Sequence, residues 1–338
     1  MAETEWDLTV AVTGPTGTFG FGLVPLLEGD ERVERIIGIA RRPFDPAEHG
    51  WSKMEYRQGD VRDQQALKEA VEGADVVIHL AFQITGTGSR QDIHQINVQG
   101  TLNAVRAAAG AGARRFVYAS SVAAYGFHAD NPVGMTEDWP TRPARRLFYA
   151  REKAELEHRL QVESVAFPQL SLYLLRPPIV LGPHAVGAKD LLPGPLAPLA
   201  RRLVGRLGRL PVPLPAAVPA LPLQFVHEHD VGQALLLCAV GAGPPGAYNL
   251  AADGVLTLAD VARELGFATL PIPAGLVRPP ARLAARLPSL PFAPPALEWI
   301  EAASHPTIVD STKAKQQLGW RPSYTALAAL RDTLGNGR

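Results

Sequence analysis

Short apolar runs alternate with longer segments of mixed polarity along the first half of the chain. The runs are five or six residues long and rich in Val, Ile and Leu, which is typical of buried β-strands. They lie at 8–13, 35–40, 75–80, 115–119 and 171–176, with later candidates at 223–227 and 247–250. Helical periodicity lies at 21–28, 64–72, 97–110 and 149–165. Strands alternating with helices predict an α/β fold, a Rossmann-type doubly wound parallel sheet covered on both faces.

The sequence changes character after Gly182, where Pro, Ala, Leu and Arg dominate. This change predicts a smaller, mostly helical carboxy-terminal substrate domain that interleaves with the sheet. We place the dinucleotide-binding domain at 1–181 with 223–252, and the substrate domain at 182–222 with 253–338. Within the second sheet segment, Asp230 with Gln233 three residues later predicts a helix N-cap.

The segment 191–222 is rich in Leu and Pro and admits two interpretations. It forms either a lid over an apolar carbonyl substrate or the core and oligomer contacts of the second domain, such as those of a homodimer. Arginines recur in the same segment, and they either bind a substrate phosphate or form a solvated helix face. They are Arg201, Arg202, Arg206 and Arg209.

A glycine-rich turn follows the first predicted strand. Gly14, Gly17 and Gly20 are spaced by three residues and precede a helical segment. A dinucleotide site needs such a turn, because the backbone must approach the pyrophosphate closely and the helix N-terminus must face it. The turn therefore predicts a dinucleotide site, although the same spacing also occurs in turns without a ligand.

The end of the second predicted strand bears on the choice of cofactor. An acidic residue there would bind the ribose hydroxyls of NAD, but Ala40 stands at that position and Arg41 and Arg42 follow. Arginine pairs with the 2′-phosphate of NADP, so NADP is favoured over NAD. The alternative is a solvated arginine pair. Asp60 either lies near the adenine or caps the next helix.

Three residues carry the candidate catalytic chemistry. Tyr149 and Lys153 are four residues apart and share one face of a predicted helix. A nearby ammonium favours the phenolate form of a tyrosine, which brings a poor base into working range. Ser121 ends a predicted buried strand, where it could donate a hydrogen bond to a substrate oxygen. Each feature alone occurs by chance, and Ser121 could simply end the strand.

Taken together, these features resemble the extended short-chain dehydrogenase/reductases, which include nucleotide-sugar epimerases, dehydratases and carbonyl reductases. The resemblance runs from about residue 8 to the carboxy terminus. Its further motifs are Gly59-Asp60-Val61, His79-Leu80-Ala81-Phe82, Asn97-Val-Gln-Gly-Thr101, Ser120-Ser121 with Tyr125-Gly126, Thr136-Glu-Asp-Trp-Pro140, Leu175-Arg-Pro177 through Gly182-Pro183, Phe225-Val-His227-Glu-His-Asp230 and Leu318-Gly-Trp-Arg-Pro322.

The resemblance implies a role for each matching position. Ser121 would be the catalytic hydroxyl, Tyr149 the acid/base and Lys153 its helper, and both Tyr149 and Lys153 would also contact the cofactor. The other cofactor-binding positions implied are Gly14, Thr16, Gly17, Thr18, Phe19, Gly20, Arg41, Arg42, Asp60, Val61, Leu80, Ala81, Phe82, Asn97, Ala119, Pro177, Ile179 and Val180.

Two departures from the family pattern narrow the chemistry. Dehydratases carry an Asp-Glu pair directly after the catalytic hydroxyl, whereas Val122 and Ala123 stand there in this chain. Nucleotide-sugar enzymes often carry an asparagine at the position of Ile179. Dehydration of a sugar is therefore disfavoured, and epimerisation of a nucleotide sugar is weakened.

Composition and charge exclude several other classes of function. The 338-residue chain has 33 basic and 33 acidic side chains, so its net charge favours neither nucleic acid nor an anionic membrane as a partner. One cysteine, Cys238, a non-basic start and the lack of a long apolar run predict a cytoplasmic protein without membrane insertion. His227 and His229 lack a nearby third ligand, so no metal is expected.

Three functions are compatible with these features. The first is an NAD(P)-dependent oxidoreductase that transfers a hydride between the cofactor and a ketone or secondary alcohol. The second is a nucleotide-sugar epimerase that recycles its bound cofactor. The third is a non-catalytic dinucleotide sensor, against which the Ser121, Tyr149 and Lys153 set argues. In each case the partner is a small molecule.

Overall fold

A computed structural model describes residues 7–84, 89–144, 146–185, 215–272 and 305–335 of the chain. The strands are β1 (Leu8–Thr13), β2 (Val33–Ala40), β3 (Met54–Gln58), β4 (Val76–His79), β5 (Arg115–Ala119), β6 (Ser171–Arg176), β7 (Ile179–Leu181), β8 (Pro215–Pro219), β9 (Pro222–Leu223), β10 (Phe225–His227), β11 (Gly246–Asn249), β12 (Leu256–Thr257) and β13 (Ala268–Ile272). The α-helices are α1 (Thr18–Gly29), α2 (Gln64–Ala70), α3 (Arg90–His94), α4 (Gly100–Gly110), α5 (Phe148–Ala166), α6 (Glu228–Ala239), α7 (Leu258–Glu264) and α8 (Ala326–Thr333).

Seven strands form one parallel sheet in the order β3-β2-β1-β4-β5-β6-β11. The chain runs outward from β1 to β3 and then returns to the other side of β1 through β4. The strand order therefore reverses between β1 and β4, and ligands of such sheets bind beyond the carboxyl ends of the strands at this point. The predicted doubly wound α/β sheet is confirmed. Three short strand pairs, β7 with β10, β9 with β12 and β8 with β13, lie outside it.

Both faces of the sheet are covered by helices, which explains why its central strands are apolar on both sides. On one face, Leu23 of α1, Val231 of α6 and the buried Trp320 share a hydrophobic cluster with the strands. On the other face, Leu102 of α4 and Leu156 of α5 pack against the sheet, together with α2.

Helices α1 and α6 meet through glycine. A Cβ atom placed on Gly232 would lie 2.0 Å from the carbonyl oxygen of Gly22, and one on Gly22 would lie 2.1 Å from the carbonyl oxygen of Glu228. Neither space admits a side chain, so the two helices pack at backbone contact distance. The position of α1, whose first turn follows the glycine-rich turn, is therefore fixed by α6.

The structure corrects several sequence expectations about individual elements. Strand β3 was not anticipated, and α1 begins at Thr18 rather than Phe21. The helix predicted at 97–110 is preceded by a π-helical turn at Gln95–Gln99. Asp230 is not an N-cap, because α6 begins earlier and is capped by the His227 side chain.

Asp230 instead connects α6 to the carboxy-terminal part of the chain. Its fully buried carboxylate accepts hydrogen bonds from the backbone N–H groups of Ser323 (2.8 Å) and Tyr324 (3.1 Å). Its carbonyl oxygen accepts a bond from the Trp320 indole at 2.8 Å. A buried carboxylate needs such donors, and here they fasten residues 320–324 to the helix.

Much of the predicted second domain lies outside the described residues, including the leucine-rich stretch and the arginines from Arg201 to Arg209. Within the described ranges its elements are α7, α8 and short strands. The division into two domains therefore stays a prediction. None of the described helices combines the length and the apolar character that are needed to cross a bilayer.

Candidate active site

The glycine-rich turn between β1 and α1 has the geometry of a phosphate cradle. Gly14 has a positive φ of 75°, and a Cβ there would lie 2.9 Å from the backbone nitrogen of Ala81. A Cβ on Gly20 would lie 1.9 Å from the carbonyl oxygen of Pro15. Gly17 is the N-cap of α1 and provides no side-chain cap, so the first N–H groups of the helix are left for an anion. These features fit the pyrophosphate of a dinucleotide.

The side chains of this turn have separate roles. The Thr18 hydroxyl donates to the carbonyl oxygen of His184 at 2.9 Å, which links the turn to the segment after β7. Phe19 packs against the hydrophobic cluster on the α1 side of the sheet, and Thr16 is half-buried. The glycines and the backbone therefore provide the cradle, while the side chains hold it in place.

Arg41 and Arg42 follow β2 and are both exposed. The Arg41 guanidinium donates to the Gln83 side chain at 3.3 Å, so it lies over the loop that follows β4. Arg42 contributes its carbonyl oxygen to a hydrogen bond from the Tyr56 hydroxyl. Arg41 is thus the better placed of the two for a group bound at the switch point.

Asp60 follows β3 and does not cap the next helix. Its carboxylate binds the Arg62 guanidinium at 2.7 Å, and this bond holds the pKa of Asp60 below its usual range. The cap of α2 is Asp63, which accepts from the backbone N–H groups of Gln65 and Ala66. The capping alternative for Asp60 is therefore wrong. Val61 beside it is buried.

Ser121 and Tyr149 are brought together at the carboxyl edge of the sheet. Ser121 follows β5, accepts a hydrogen bond from the Ala123 backbone at 3.1 Å and caps the short 3₁₀ turn at Val122–Tyr125. Tyr149 lies in the first turn of α5 and is half-buried. Their hydroxyls are hydrogen-bonded. Burial raises the pKa of Tyr149, and the bond with Ser121 opposes that rise.

Lys153 lies one turn further along α5 and is almost entirely buried. Its Nζ donates to the carbonyl oxygen of Ala119 at 2.7 Å and to the Tyr118 hydroxyl at 3.0 Å, and it lies 5.8 Å from the centre of the Tyr149 ring. Burial lowers the pKa of Lys153 to about 7, and the nearby Glu157 carboxylate opposes this shift. The structure thus places a titratable cation beside the phenol.

Asn97 lies behind the site in the π-helical turn, a type of irregularity that is common at functional sites. Its Nδ2 donates to the Glu152 carboxylate at 2.7 Å and to the Gln83 carbonyl oxygen at 2.9 Å. Its Oδ1 accepts from the Gln83 backbone at 2.7 Å. Asn97 therefore connects α5 with the loop after β4.

A buried ion pair holds α5 against the sheet. Arg176 at the end of β6 binds Glu157 of α5 at 2.6 Å, and both side chains are at most 4% exposed. The Ser120 hydroxyl donates to the same carboxylate at 2.5 Å, and Arg176 also donates to the Tyr125 hydroxyl at 2.7 Å. This cluster joins β5, β6 and α5 directly beneath Ser121 and Tyr149.

The loop after β6 borders the site from the other side. The Pro177 carbonyl oxygen accepts from the Val122 backbone at 3.0 Å and from the Ser121 hydroxyl at 3.4 Å. Ile179 and Val180 then enter β7, which pairs with β10, and Ile179 is 47% exposed. An exposed isoleucine therefore lies where the resemblance expects a cofactor or substrate contact.

Leu80, Ala81 and Phe82 follow β4 at the switch point. The Leu80 backbone N–H donates to the Thr13 carbonyl oxygen at 3.0 Å, so β1 and the loop stay adjacent beyond the strands. Ala81 closes over Gly14, as the short contact described above requires. All three residues are half-buried; Leu80 packs against the cluster on the α1 side of the sheet, and Ala81 and Phe82 pack against the cluster on the α5 side.

Four residues that contact this site were not singled out from the sequence. Tyr118, Gln83, Glu152 and Glu157 touch Lys153, Asn97 or Arg176 through contacts between distant parts of the chain. Tyr118 and Glu152 adjoin motif residues. The sequence signal for them is a polar side chain on a strand or helix face that is otherwise buried.

His227 ends β10 and His229 lies in the first turn of α6, and each has contacts of its own within the protein. His227 stacks on Tyr324 at 3.9 Å between ring centres and approaches Asp332 at 3.1 Å, while the half-buried His229 lies 3.4 Å from the Asp230 carboxylate. Throughout the part of the chain that the structure describes, no group of three or more His, Cys, Asp or Glu side chains could hold a metal ion.

The comparison with protein families decides the classification. The profile of the NAD dependent epimerase/dehydratase family matches residues 10–251, which is more than two-thirds of the chain. The chain belongs to this family. The glycine turn, the Ser121 to Lys153 region and the loop after β6 all fall within the match to the epimerase/dehydratase family.

The chain is similar to several proteins in sequence and in structure. An uncharacterized protein of Mycobacterium tuberculosis is 25% identical over 348 aligned residues, covering 97% of this chain and 84% of that protein. Sterol demethylase protein B of Methylococcus capsulatus is 32% identical over 228 residues, covering 65% of this chain and 63% of that protein. The structure of Thermus thermophilus UDP-glucose 4-epimerase in complex with NAD superposes with a TM-score of 0.68 at 24% identity, covering 98% and 99% of the two chains.

Proposed function

We propose that the protein is an NAD(P)-dependent oxidoreductase that transfers a hydride between the cofactor and a ketone or secondary alcohol. The observation that carries this proposal is the hydrogen bond between Ser121 and Tyr149, formed beside the buried Lys153. An acid/base, a hydrogen-bond donor and a cation at one sheet edge are the groups that carbonyl reduction needs.

The chain's own groups divide the work between them. Ser121 donates a hydrogen bond to the substrate oxygen and holds it next to the Tyr149 hydroxyl. In reduction Tyr149 gives its proton to that oxygen, and in oxidation its phenolate accepts the hydroxyl proton of the alcohol. Lys153 in its charged form favours the phenolate by electrostatic attraction. When bound, the nicotinamide cofactor supplies or receives the hydride.

The same residues suggest how the cofactor is held. The cradle from Gly14 to Gly20 and the N-terminus of α1 would bind the pyrophosphate. Lys153 would bind the nicotinamide ribose, as the resemblance implies. Arg41 is available for a 2′-phosphate, and we therefore propose that NADP is preferred over NAD.

A nucleotide-sugar epimerase is the second candidate. The family membership and the fold shared with a UDP-glucose 4-epimerase favour it. Against it stands Ile179, at a position where nucleotide-sugar enzymes often carry an asparagine. The relative named sterol demethylase protein B agrees with a substrate other than a nucleotide sugar.

A turnover assay separates these candidates. The purified protein is incubated with NADPH or NADH and a panel of ketones and aldehydes, and separately with NADP⁺ or NAD⁺ and nucleotide sugars, while absorbance at the nicotinamide band and the sugar products are followed. We expect stoichiometric oxidation of NADPH with at least one carbonyl compound. Isomerised nucleotide sugar without net cofactor consumption would instead identify an epimerase. Cofactor binding with neither reaction across the panel would favour the sensor.

A further inference from the structure

Phe82 contacts both members of the Tyr149 and Lys153 pair. The centre of its ring lies 3.7 Å from Lys153 Nζ. The same ring meets the Tyr149 ring edge-on, with the centres 5.6 Å apart and an interplanar angle of 89°. Phe82 therefore covers the catalytic pair from the side of β4, opposite the helix that carries them.

The ammonium group of Lys153 has three N–H donors. Two of them are used by the Ala119 carbonyl oxygen and the Tyr118 hydroxyl, at 2.7 Å and 3.0 Å. The remaining side of the ammonium faces the Phe82 ring. The face of an aromatic ring carries partial negative charge, and it attracts a cation within about 6 Å of the ring centre. In the cofactor-free protein, Phe82 thus covers the side of the charged group that makes no hydrogen bond to Ala119 or Tyr118.

The titratable neighbours of Lys153 on β4 and β5 are uncharged near neutral pH. His79 of β4 is fully buried, and burial lowers its pKa to about 3, so it is neutral. Tyr118 of β5 is buried as well, and burial raises its pKa well above the usual range. Both groups therefore stay uncharged over the working range of pH, as does Tyr149 while it is protonated.

The negative charges near Lys153 come from its own helix. Glu157 is already paired with Arg176. Glu152 is buried, accepts a bond from Asn97 and lies 3.3 Å from the half-exposed His94. The two carboxylates favour the charged lysine while burial opposes it. Burial outweighs the carboxylates and brings the pKa of Lys153 to about 7, so a further attraction of moderate size changes the charged fraction of Lys153 near neutral pH.

We propose that Phe82 is a positioning residue whose ring stabilises the charged form of Lys153 and thereby supports proton transfer at Tyr149. This role deepens the proposed oxidoreductase function and rests on it for its catalytic meaning. It differs from a cofactor contact, because it is exerted on Lys153 in the cofactor-free protein.

Direct titration of Lys153 tests the proposal without any turnover. The chain has six lysines, so ¹³Cε-labelled lysine gives a small set of NMR signals, and the signal lost in Lys153→Arg assigns the one of interest. In the cofactor-free full-length protein we expect Phe82→Leu to lower the titration midpoint by roughly 0.4 to 1.5 pH units. Phe82→Tyr keeps an aromatic face and is expected to restore the wild-type midpoint to within about 0.2 units.

Phe148→Leu is the matched control. Phe148 neighbours Tyr149 in sequence, but its ring lies under the Arg90 guanidinium at 3.9 Å instead. We expect its loss to leave the Lys153 midpoint unchanged. An unchanged midpoint in Phe82→Leu, or equal shifts in Phe82→Leu and Phe82→Tyr, overturns the proposal.

A second measurement separates the ring's charge distribution from its shape. Site-specific replacement of Phe82 by mono-, di- and trifluorinated phenylalanine preserves shape closely and weakens the negative ring face in steps. We expect the Lys153 midpoint to fall with each added fluorine, and a constant midpoint contradicts the proposal. Because neither experiment uses substrate, failure of the proposed reaction and failure of this inference are read separately.

Discussion

Tyr149 presents one hydroxyl to Ser121, and the chemistry proposed here passes its proton through that atom. We expect Tyr149→Phe to reduce turnover by at least about 100-fold, the usual contribution of a general acid or base. Cofactor affinity should change by no more than a few-fold, because the aromatic ring and its contact with Phe82 remain. Steady-state kinetics and fluorescence titration measure the two quantities. Full activity in this variant would remove the mechanism.

Arg41 is the residue on which cofactor choice is proposed to depend. We expect Arg41→Ala to weaken NADPH binding by roughly tenfold and NADH binding by less than about twofold, because only NADPH offers a phosphate for a charge-assisted bond. Arg42→Ala is the control, since its side chain has no comparable contact among the described residues. Equal dissociation constants of the wild type for the two cofactors would contradict the preference.

His79 makes folding stability depend on pH. It lies between the hydroxyls of Thr13 and Thr101 at 2.8 Å and 3.0 Å, and burial lowers its pKa from 6.5 to about 3. Below pH 6.5 the unfolded chain therefore binds a proton at His79 and the native protein does not. The free energy of unfolding falls as the pH drops from 6.5 towards 3. From pH 7 to pH 5 we expect a loss of roughly 2 kcal/mol from this group.

Urea unfolding at pH 7 and pH 5 measures this contribution. The difference between the two pH values should shrink by roughly 2 kcal/mol in His79→Asn, whatever that variant does to stability at pH 7. His158→Gln, on the exposed face of α5, should leave the difference as it is. An equal pH dependence in wild type and His79→Asn would refute the assignment.

At the residue scale, the sequence singled out the candidate residues but not the groups that surround them. Ser121, Tyr149 and Lys153 belong to local motifs, and the structure brings them together. The contacts of Lys153 with Tyr118 and Phe82 arise from three different elements, so spacing along the chain could not reveal them.

The contact between α1 and α6 leaves no room for a side chain. We expect Gly232→Ala to destabilise the protein by about 1–3 kcal/mol, the usual cost of overpacking, because its Cβ would meet the Gly22 carbonyl oxygen at 2.0 Å. Gly29→Ala is the matched change within α1, where a Cβ meets nothing within 4 Å. Because Gly29 is the last residue of α1, the change should stabilise the protein by at most about 0.5–1 kcal/mol, the gain at a mid-helix position.

Thermal or urea unfolding of the two glycine variants provides the comparison. A Gly232→Ala protein as stable as the wild type would mean that the helices can separate without loss. The two substitutions are chemically identical, so a difference in sign between them isolates the helix contact from the intrinsic preference of alanine for helices.

At the element scale, the sequence predicted buried strands well and an edge strand poorly. Strands β1, β4 and β5 are buried between neighbours and are therefore apolar runs. Strand β3 lies at the edge of the sheet and reads Met-Glu-Tyr-Arg-Gln, with several exposed or half-exposed positions. Its hydrophobic pattern is too weak to distinguish it from a loop.

Asp230 fastens the carboxy-terminal part of the molecule to α6. We expect Asp230→Ala to lower the free energy of unfolding by about 1.5–3 kcal/mol, because the backbone N–H groups of Ser323 and Tyr324 lose a buried, charged acceptor. Asp253→Ala removes an exposed carboxylate that pairs with Lys315, and it should cost at most about 1 kcal/mol.

Urea unfolding gives both values, and hydrogen exchange shows where the loss acts. Faster exchange of the Ser323 and Tyr324 amides in Asp230→Ala is the expected signature. A loss of stability no larger than that of Asp253→Ala would count against this role for Asp230.

At the scale of the whole molecule, the sequence predicted the sheet and its family but not how the chain's end returns to it. The apparent capping box at Asp230 and Gln233 satisfied a local rule, while the actual donors lie some 90 residues later. A local pattern shows only that a carboxylate stands near a helix start. It does not show whether the N–H groups that bind the carboxylate belong to that helix or to a distant part of the chain.

The buried ion pair between Glu157 and Arg176 also fixes the position of α5 along its own axis. A slip of the helix by one residue would move it by about 1.5 Å along its axis and break a bond that is shielded from solvent. The spacing between the Ser121 and Tyr149 oxygens is thus determined by an anchor two turns beyond Tyr149. Because salt screens buried charges weakly, that spacing should be the same in dilute buffer and at high ionic strength.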